Sequence, residues 1–81
     1  MSLKREITYS IGETEKLTGA SQKQIRYWEK KDLITQVERN VCGDIAYRRF
    51  TQSQVELIHS IKNHMDQGYT LARAAELALK K

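Results

Sequence analysis

Apolar residues in the last third of the sequence recur at steps of three and four, the spacing of one face of an α-helix. The residues that follow this pattern are Val55, Ile58, Ile61 and Met65, and Leu57 widens the apolar stripe. They predict an amphipathic helix that begins at Thr51 and ends before Gly68. A further helix is predicted from Leu71 to about Leu79, with Thr70 as its cap and small residues on one side that suit close packing.

Three stretches have the S/T-x-x-E/Q form of a capping box, in which the first and fourth side chains each bond a backbone N–H where a helix begins. They are Ser10 to Glu13, Ser21 to Gln24 and Thr51 to Gln54. The first two predict a short helix that ends near Thr18 and another that begins at Ser21, joined by a turn containing Gly19. Ile11 and Leu17 are the expected apolar contacts of the first helix. Two short helices joined in this way form a helix-turn-helix unit.

The second helix has two different faces. At about 100° per residue, Ile25 and Trp28 fall on one face and are expected to pack in the core. The residues on the opposite face are Lys23, Arg26, Tyr27 and Lys30. Residues 21–31 contain four cations and one acid, Glu29. This helix therefore offers positive charge and a phenol to an anionic partner, although an ordinary solvated basic face has the same pattern.

Residues 35–50 contain β-branched and aromatic residues without a helical period, which predicts a β-hairpin. Asn40 and residues 42–44 are turn-forming types and predict a rather long tip in the middle of this stretch. Because the hairpin directly follows the helix-turn-helix, we interpret it as a wing. Residues 1–9 are predicted to be a charged lead-in or a short strand.

The return strand of this hairpin ends with two arginines. Strand alternation places Arg48 and Phe50 on one side, and Tyr47 and Arg49 on the other. Phe50 is expected to lie in the core. Neither arginine has an obvious internal partner, so both are candidates for contacts with another molecule.

Composition limits the class of protein. With 81 residues, of which 40% are hydrophobic and 30% charged, the chain is expected to form one small globular domain. No apolar run approaches the ~20 residues of a membrane span, and no signal-peptide pattern is present. The expected location is therefore the cytoplasm. A net charge of +4 and a pI near 9.4 agree with a polyanionic partner but do not establish one.

Residues for catalysis or metal binding are not brought together by any sequence motif. Cys42 is the single cysteine and cannot form an internal disulfide. His59 and His64 are five residues apart, which places them on different faces of their helix and argues against a metal site. There is no Gly-rich phosphate loop and no pair of carboxylates among apolar residues. We expect neither an enzyme nor a cofactor.

An ordered set of short motifs extends from about Tyr9 to Leu77. In order, they are Ile11-Gly12-Glu13, Leu17-Thr18-Gly19, Ser21, Ile25-Arg26-Tyr27-Trp28-Glu29, Leu33-Ile34, Tyr47-Arg48-Arg49-Phe50 and Gln67-Gly68-Tyr69-Thr70. Their order and spacing resemble the DNA-binding domain of MerR-type transcription regulators. The phrase Gln24-Ile25-Arg26-Tyr27 followed by an aromatic and Glu29 also resembles the nitrogen-regulator (glutamine synthetase repressor) branch of that family.

The resemblance implies a mainly α fold with a small β-hairpin, the winged helix-turn-helix. Residues 1–81 would form a single domain that comprises a helix-turn-helix (10–34), a wing (35–50) and two further helices (51–81). The sequence departs from the family where Thr35-Gln36 replaces a usual proline, and the segment 39–47 is several residues longer than the usual turn. Family members also continue into a dimerisation helix, so we expect either a piece of a longer protein or a short member.

Eight residues are predicted to contact DNA. Gln22, Lys23 and Arg26 are the candidates for base edges, because the first turn of the second helix approaches the major groove and a planar guanidinium suits guanine. Lys30 is a candidate phosphate contact. The resemblance implies a phosphate contact for the hydroxyl of Tyr27, and backbone contacts of the wing through Tyr47, Arg48 and Arg49.

The leading hypothesis is a bacterial MerR-type regulator that binds promoter DNA in a sequence-specific manner. By resemblance, it would act as a homodimer through a segment absent from this chain, would bend and untwist the promoter, and would engage RNA polymerase indirectly. One alternative is an excisionase-like architectural DNA-binding protein, since those are equally short and use a related winged fold. Another is a protein-interaction module whose basic face meets an acidic partner.

Overall fold

The computed structural model describes residues 7–35, 37–42 and 45–79, and for residues 39–42 and 45–47 it describes the backbone alone. The strands and helices follow the order expected from the sequence. They are β1 (Thr8–Tyr9), α1 (Ile11–Thr18), α2 (Gln22–Lys30), β2 (Glu38–Cys42), β3 (Ile45–Thr51), α3 (Gln52–Asp66) and α4 (Leu71–Leu79). No helix within these ranges is long and apolar enough to cross a membrane.

The three strands form one antiparallel sheet in the order β1-β3-β2. Of the predicted lead-in, Thr8 and Tyr9 form a short strand, and Thr8 pairs with Thr51. The predicted long tip is wrong: Asn40 pairs with Tyr47, and strand pairing continues as far as Cys42 with Ile45. Backbone pairing with β3 therefore outweighs the turn preference of Asn40, and the residues that connect the strands, 43–44, lie outside the described ranges.

All three predicted capping boxes are present at the first turns of α1, α2 and α3. At α1, the backbone N–H of Glu13 donates to Ser10 Oγ at 3.1 Å, and the N–H of Ser10 donates to Glu13 Oε1 at 2.8 Å. Gly19 has φ 81, the left-handed conformation predicted for the end of α1. These local bonds set the start of α2 directly after the turn.

The core lies where α2, β3, α3 and α4 meet. Its largest fully buried side chains include Trp28, Phe50, Ile25, Ile34, Ile58 and Ile61. Ala74 and Ala75 of α4 are also buried, as expected for its small-residue face. The predicted core positions of Ile25, Trp28 and Phe50 are therefore confirmed.

The prediction for Leu17 is wrong, because its side chain is 54% exposed. The inward face of α1 carries Ile11 together with Thr14 and Thr18, and Leu17 lies roughly 90° around the helix from it. Both threonine hydroxyls donate to backbone carbonyls one turn earlier, Thr14 to Ser10 at 2.8 Å and Thr18 to Thr14 at 2.7 Å. Because these hydroxyls are bonded, they can be buried without leaving a polar group unsatisfied.

Candidate nucleic-acid interface

Helix α2 presents a polar face opposite its buried face. Ile25 is fully buried and Trp28 is 2% exposed, whereas the side chains of the other face reach solvent. The exposed side chains are Lys23, Arg26, Tyr27 and Lys30. Their spacing of three and four residues aligns them along one side of the helix. The two faces predicted from the sequence are therefore present.

Tyr27 is held beside a cation that follows α2. Its side chain is 48% exposed, and Lys31 Nζ lies 5.6 Å from the centre of its ring. This is the distance of a cation–π contact, which orients the lysine over the aromatic face. Tyr27 and Lys31 together add a hydroxyl and a positive charge to the polar face of α2.

Gln22 differs from its neighbours because it is half-buried and bonded. Its Nε2 donates to Glu15 Oε1 of α1 at 3.3 Å. This bond connects the two helices of the helix-turn-helix across their turn. The amide of Gln22 keeps its second N–H and its carbonyl oxygen for another partner.

Arg48 has an internal partner, which corrects the expectation that it has none. Its Nε donates to Glu29 Oε1 at 2.6 Å, an ion pair between β3 and the last turn of α2. The side chains are 27% and 13% exposed, respectively. Arg48 shares its side of the strand with Phe50, and that side faces the body of the protein, where α2 supplies the carboxylate.

Arg49 also has an internal partner, Thr8 of the neighbouring strand β1. Its Nε donates to Thr8 Oγ1 at 3.2 Å, and its Nη2 donates to the backbone carbonyl of Thr8 at 3.1 Å. The side chain therefore ties β1 to β3 in addition to the strand pairing. The expectation that Arg49 lacks a partner is wrong, because β1 lies beside it. For Tyr47, the third predicted wing residue, the side chain lies outside the described residues.

An open groove of about 490 Å³ lies between α2 and β3. It is lined by Arg26, Glu29, Lys30, Asp32 and Arg48. The fold thus brings together three of the predicted DNA contacts from two elements, Arg26, Lys30 and Arg48. Arg49 does not line this groove. Asp32 has φ 63, which turns the chain sharply after α2.

Sequence reasoning overlooked Glu29 as a member of this surface. The available signal was its position as the single acid among the cations of residues 21–31. Alternation in β3 supplied a second signal, since Arg48 shares a side with the buried Phe50. Among the residues that the structure describes, no group of three or more His, Cys, Asp or Glu side chains is placed to hold a metal ion.

A family model described as MerR HTH family regulatory protein matches residues 9–81. The chain belongs to the MerR family. It is 38% identical over 68 residues to the probable heavy metal-dependent transcriptional regulator of Haemophilus influenzae, covering 84% of this chain and 51% of that protein. It is 36% identical over 63 residues to the mercuric resistance operon regulatory protein of Bacillus cereus, covering 78% of this chain and 46% of that protein.

A third relative, the multidrug-efflux transporter 1 regulator of Bacillus subtilis, is 43% identical over 61 residues, covering 72% of this chain and 21% of that protein. The chain therefore spans about half the length, or less, of these relatives. Its fold is similar to that of HiNmlR, a MerR family regulator lacking the sensor domain, in a crystal structure bound to promoter DNA. The TM-score is 0.67 at 22% identity, covering 89% of this chain and 55% of that one. The expected family and the winged helix-turn-helix fold are confirmed.

Proposed function

We propose that this chain binds specific sequences of double-stranded promoter DNA as the DNA-binding part of a bacterial MerR-type transcription regulator. One observation carries the proposal: the exposed polar face of α2 and Arg48 of β3 border the same groove. Helix and wing therefore present cations side by side, with the core behind them. In this proposal, residues 1–81 act as one DNA-binding domain.

The charge distribution supports binding to the DNA backbone. Cations that neutralise phosphates release condensed counterions, so affinity falls as salt rises. Lys23 and Lys30 are exposed at the two ends of α2. Phosphate contacts of this kind set the register of a protein on the duplex but do not read its sequence.

Arg26 is the proposed base-reading residue. It is exposed in the middle of α2, and its planar fork matches the two acceptors on the major-groove edge of guanine. Gln22 and Lys23 lie in the first turn of α2, the end that approaches base edges in other helix-turn-helix proteins. Gln22 would contact a base through the amide groups that Glu15 does not engage.

Five further residues would contact the DNA backbone. Tyr27 and Lys30 would do so from α2, and Tyr47, Arg48 and Arg49 from the wing. The guanidinium of an arginine carries five N–H donors. Arg48 uses its Nε for Glu29, and Arg49 uses Nε and Nη2 for Thr8, so each has further donors for a phosphate.

The relatives support the wider role. Each of the three is named as a regulator, and HiNmlR is bound to promoter DNA. We infer that this chain likewise acts on promoters as a homodimer, through a segment beyond residues 1–81, and affects RNA polymerase indirectly by reshaping the DNA. The same inference makes it a cytoplasmic, nucleoid-associated protein without enzymatic activity.

Substitution of two exposed cations on α2 tests this proposal. The target duplex is first selected from a randomised library with the wild-type chain, and affinities for it and for a random duplex are then measured. Arg26→Ala is expected to weaken the selected duplex by about 1–3 kcal/mol with little effect on the random one. Lys30→Ala is expected to weaken both about equally. It is also expected to make the negative slope of log affinity against log salt shallower by about one.

Equal losses for the two duplexes in Arg26→Ala would remove the base-reading role from that residue. If the wild-type chain binds no duplex even at low salt, the DNA-binding function itself is wrong. A module that binds an acidic protein would then become the better explanation of the basic face.

A further inference from the structure

The ion pair between Glu29 and Arg48 joins the two elements proposed to contact DNA. The residues are 19 positions apart in sequence, and the pair measures 2.6 Å between Arg48 Nε and Glu29 Oε1. The Glu29 side chain is 13% exposed, so its carboxylate lies largely within the junction of α2 and β3. The pair is therefore placed to determine how the wing lies against the recognition helix.

An acid at this place requires an explanation if the groove receives DNA. Glu29 lines the groove together with Arg26 and Lys30, where phosphates would approach. A carboxylate without a structural role there would repel phosphate and lower the affinity. Its charge is offset by Arg48, whose guanidinium keeps further N–H donors beyond the Nε that Glu29 engages.

We propose that Glu29 is a positioning residue for DNA binding. Its carboxylate orients the Arg48 guanidinium toward the phosphates of a duplex while α2 occupies the major groove of that duplex. This inference rests on the proposed function. An unpaired arginine samples many rotamers and loses that freedom when it binds a phosphate. The bond to Glu29 restricts the side chain before DNA arrives, so less freedom is lost on binding.

The sign of one substitution distinguishes positioning from simple repulsion. Glu29→Gln removes the negative charge at nearly constant shape and makes the chain more positive by one. If Glu29 only repels phosphate, this change tightens binding to every duplex. If Glu29 positions Arg48, the change weakens binding to the selected duplex by about tenfold, the usual size of coupling between contacting charged residues.

Asp32 provides a matched control. It lines the same groove, is exposed, and makes no ion pair with a described residue. Its φ of 63 is a conformation that asparagine adopts readily, so Asp32→Asn is expected to keep the fold. This variant removes one negative charge from the same surface and is expected to bind with unchanged or slightly higher affinity.

A double-mutant cycle with Arg48→Ala shows whether Glu29 acts through Arg48. In the Arg48→Ala background, Glu29→Gln is expected to leave binding unchanged or to tighten it, because the Arg48 guanidinium is no longer there to be oriented. Arg48→Ala and Glu29→Gln are each expected to make the negative slope of log affinity against log salt shallower, by up to about one, because a phosphate contact is lost. Circular dichroism confirms that each variant is folded at the temperature of the binding measurement.

If Glu29→Gln fails to fold, the exchanged pair Glu29→Arg with Arg48→Glu is used instead. It restores an ion pair between α2 and β3 but removes Arg48 from the wing, so we expect a folded protein that binds at least about tenfold more weakly. The inference is overturned if Glu29→Gln binds as tightly as the wild type or more tightly. It is also overturned if Glu29→Gln lowers the affinity as much in the Arg48→Ala background as it does when Arg48 is present, or if the exchanged pair binds with wild-type affinity. Failure of the wild type to bind any duplex would instead refute the proposed function.

Discussion

The helix-turn-helix and the wing are held in place by contacts of different range. In the helix-turn-helix, the decisive bonds join residues three positions apart, Ser10 with Glu13 and Ser21 with Gln24. The turn between the helices depends on the left-handed backbone of Gly19. Each of these features depends only on residues that lie within a few positions of one another in the sequence.

The wing is attached by contacts that span much of the chain. Arg48 reaches Glu29 across 19 positions, and Arg49 reaches Thr8 across 41. Both contacts depend on a partially exposed guanidinium, whose interactions weaken as salt screens the charges. The helix-turn-helix is therefore positioned by local backbone chemistry and burial, whereas the wing adds long-range polar contacts of its two arginines to the burial of Phe50.

The largest expected effect tests how far the two regions are independent. Trp28 of α2 belongs to the same buried cluster as Phe50 of β3. Trp28→Ala is expected to lower the free energy of unfolding by about 3–5 kcal/mol, because it leaves a large cavity in that cluster. Small domains have a total stability of only about 5–15 kcal/mol, so both regions are expected to unfold together. Urea unfolding followed by far-ultraviolet circular dichroism measures the loss.

The neighbouring residue provides the control for this substitution. Tyr27 is also aromatic but is 48% exposed, and its contact with Lys31 is at the surface. Tyr27→Ala is expected to cost about 0.5–1 kcal/mol of stability. A loss for Trp28→Ala as small as that for Tyr27→Ala would contradict the shared core.

The range of the contacts also explains what could be predicted from the sequence. The three capping boxes, the turn at Gly19 and the two faces of α2 were all predicted, because each depends on spacing within one or two turns of helix. The partners of Arg48 and Arg49 were not predicted. A sequence shows that an arginine lies beside a buried phenylalanine, but not which carboxylate or carbonyl the fold brings to it.

Two local predictions failed because tertiary packing decided between alternatives. Asn40 has a turn preference, but its backbone pairs with that of Tyr47 in the sheet. Leu17 is apolar but exposed, whereas Thr14 and Thr18 are buried with bonded hydroxyls. Of the candidate site, the basic face of α2 was predicted correctly as a surface, and the roles of its residues at DNA remain predictions, as does the nitrogen-regulator branch.

A change at Gly19 is expected to have an intermediate effect that is confined to the helix-turn-helix. Gly19 has φ 81, and a Cβ there would meet no atom within 4 Å. Gly19→Ala is therefore expected to cost about 1–2 kcal/mol from backbone conformation alone. Thermal unfolding measures the loss, and the dependence of stability on salt should match the wild type because no charge is altered.

Gly12 provides the opposite control within α1. A Cβ there would lie 3.8 Å from Gln22 Nε2, an ordinary contact distance, and the backbone is helical. Gly12→Ala is expected to stabilise the protein by about 0.5–1 kcal/mol. A loss in Gly12→Ala equal to that in Gly19→Ala would show that a side chain, rather than the left-handed backbone, is the problem in this region.

The smallest expected effect concerns the one charged member of the three capping boxes. The pKa of Glu13 is lowered below its ordinary value, chiefly by the hydrogen bond from the backbone N–H of Ser10 and next by a hydrogen bond with the Ser10 side chain. A lowered pKa in the folded protein means that ionised Glu13 stabilises the fold above its unfolded pKa, and that this contribution disappears as the pH falls through the folded value.

Glu13→Gln keeps an acceptor for Ser10, as Gln24 does for Ser21, but cannot titrate. The thermal midpoint of the wild type should therefore exceed that of Glu13→Gln at about pH 7, and the difference should shrink toward about pH 3. The converse variant, Gln24→Glu, should gain the same kind of pH dependence, and a difference between wild type and Glu13→Gln that grows with acid would contradict the assignment.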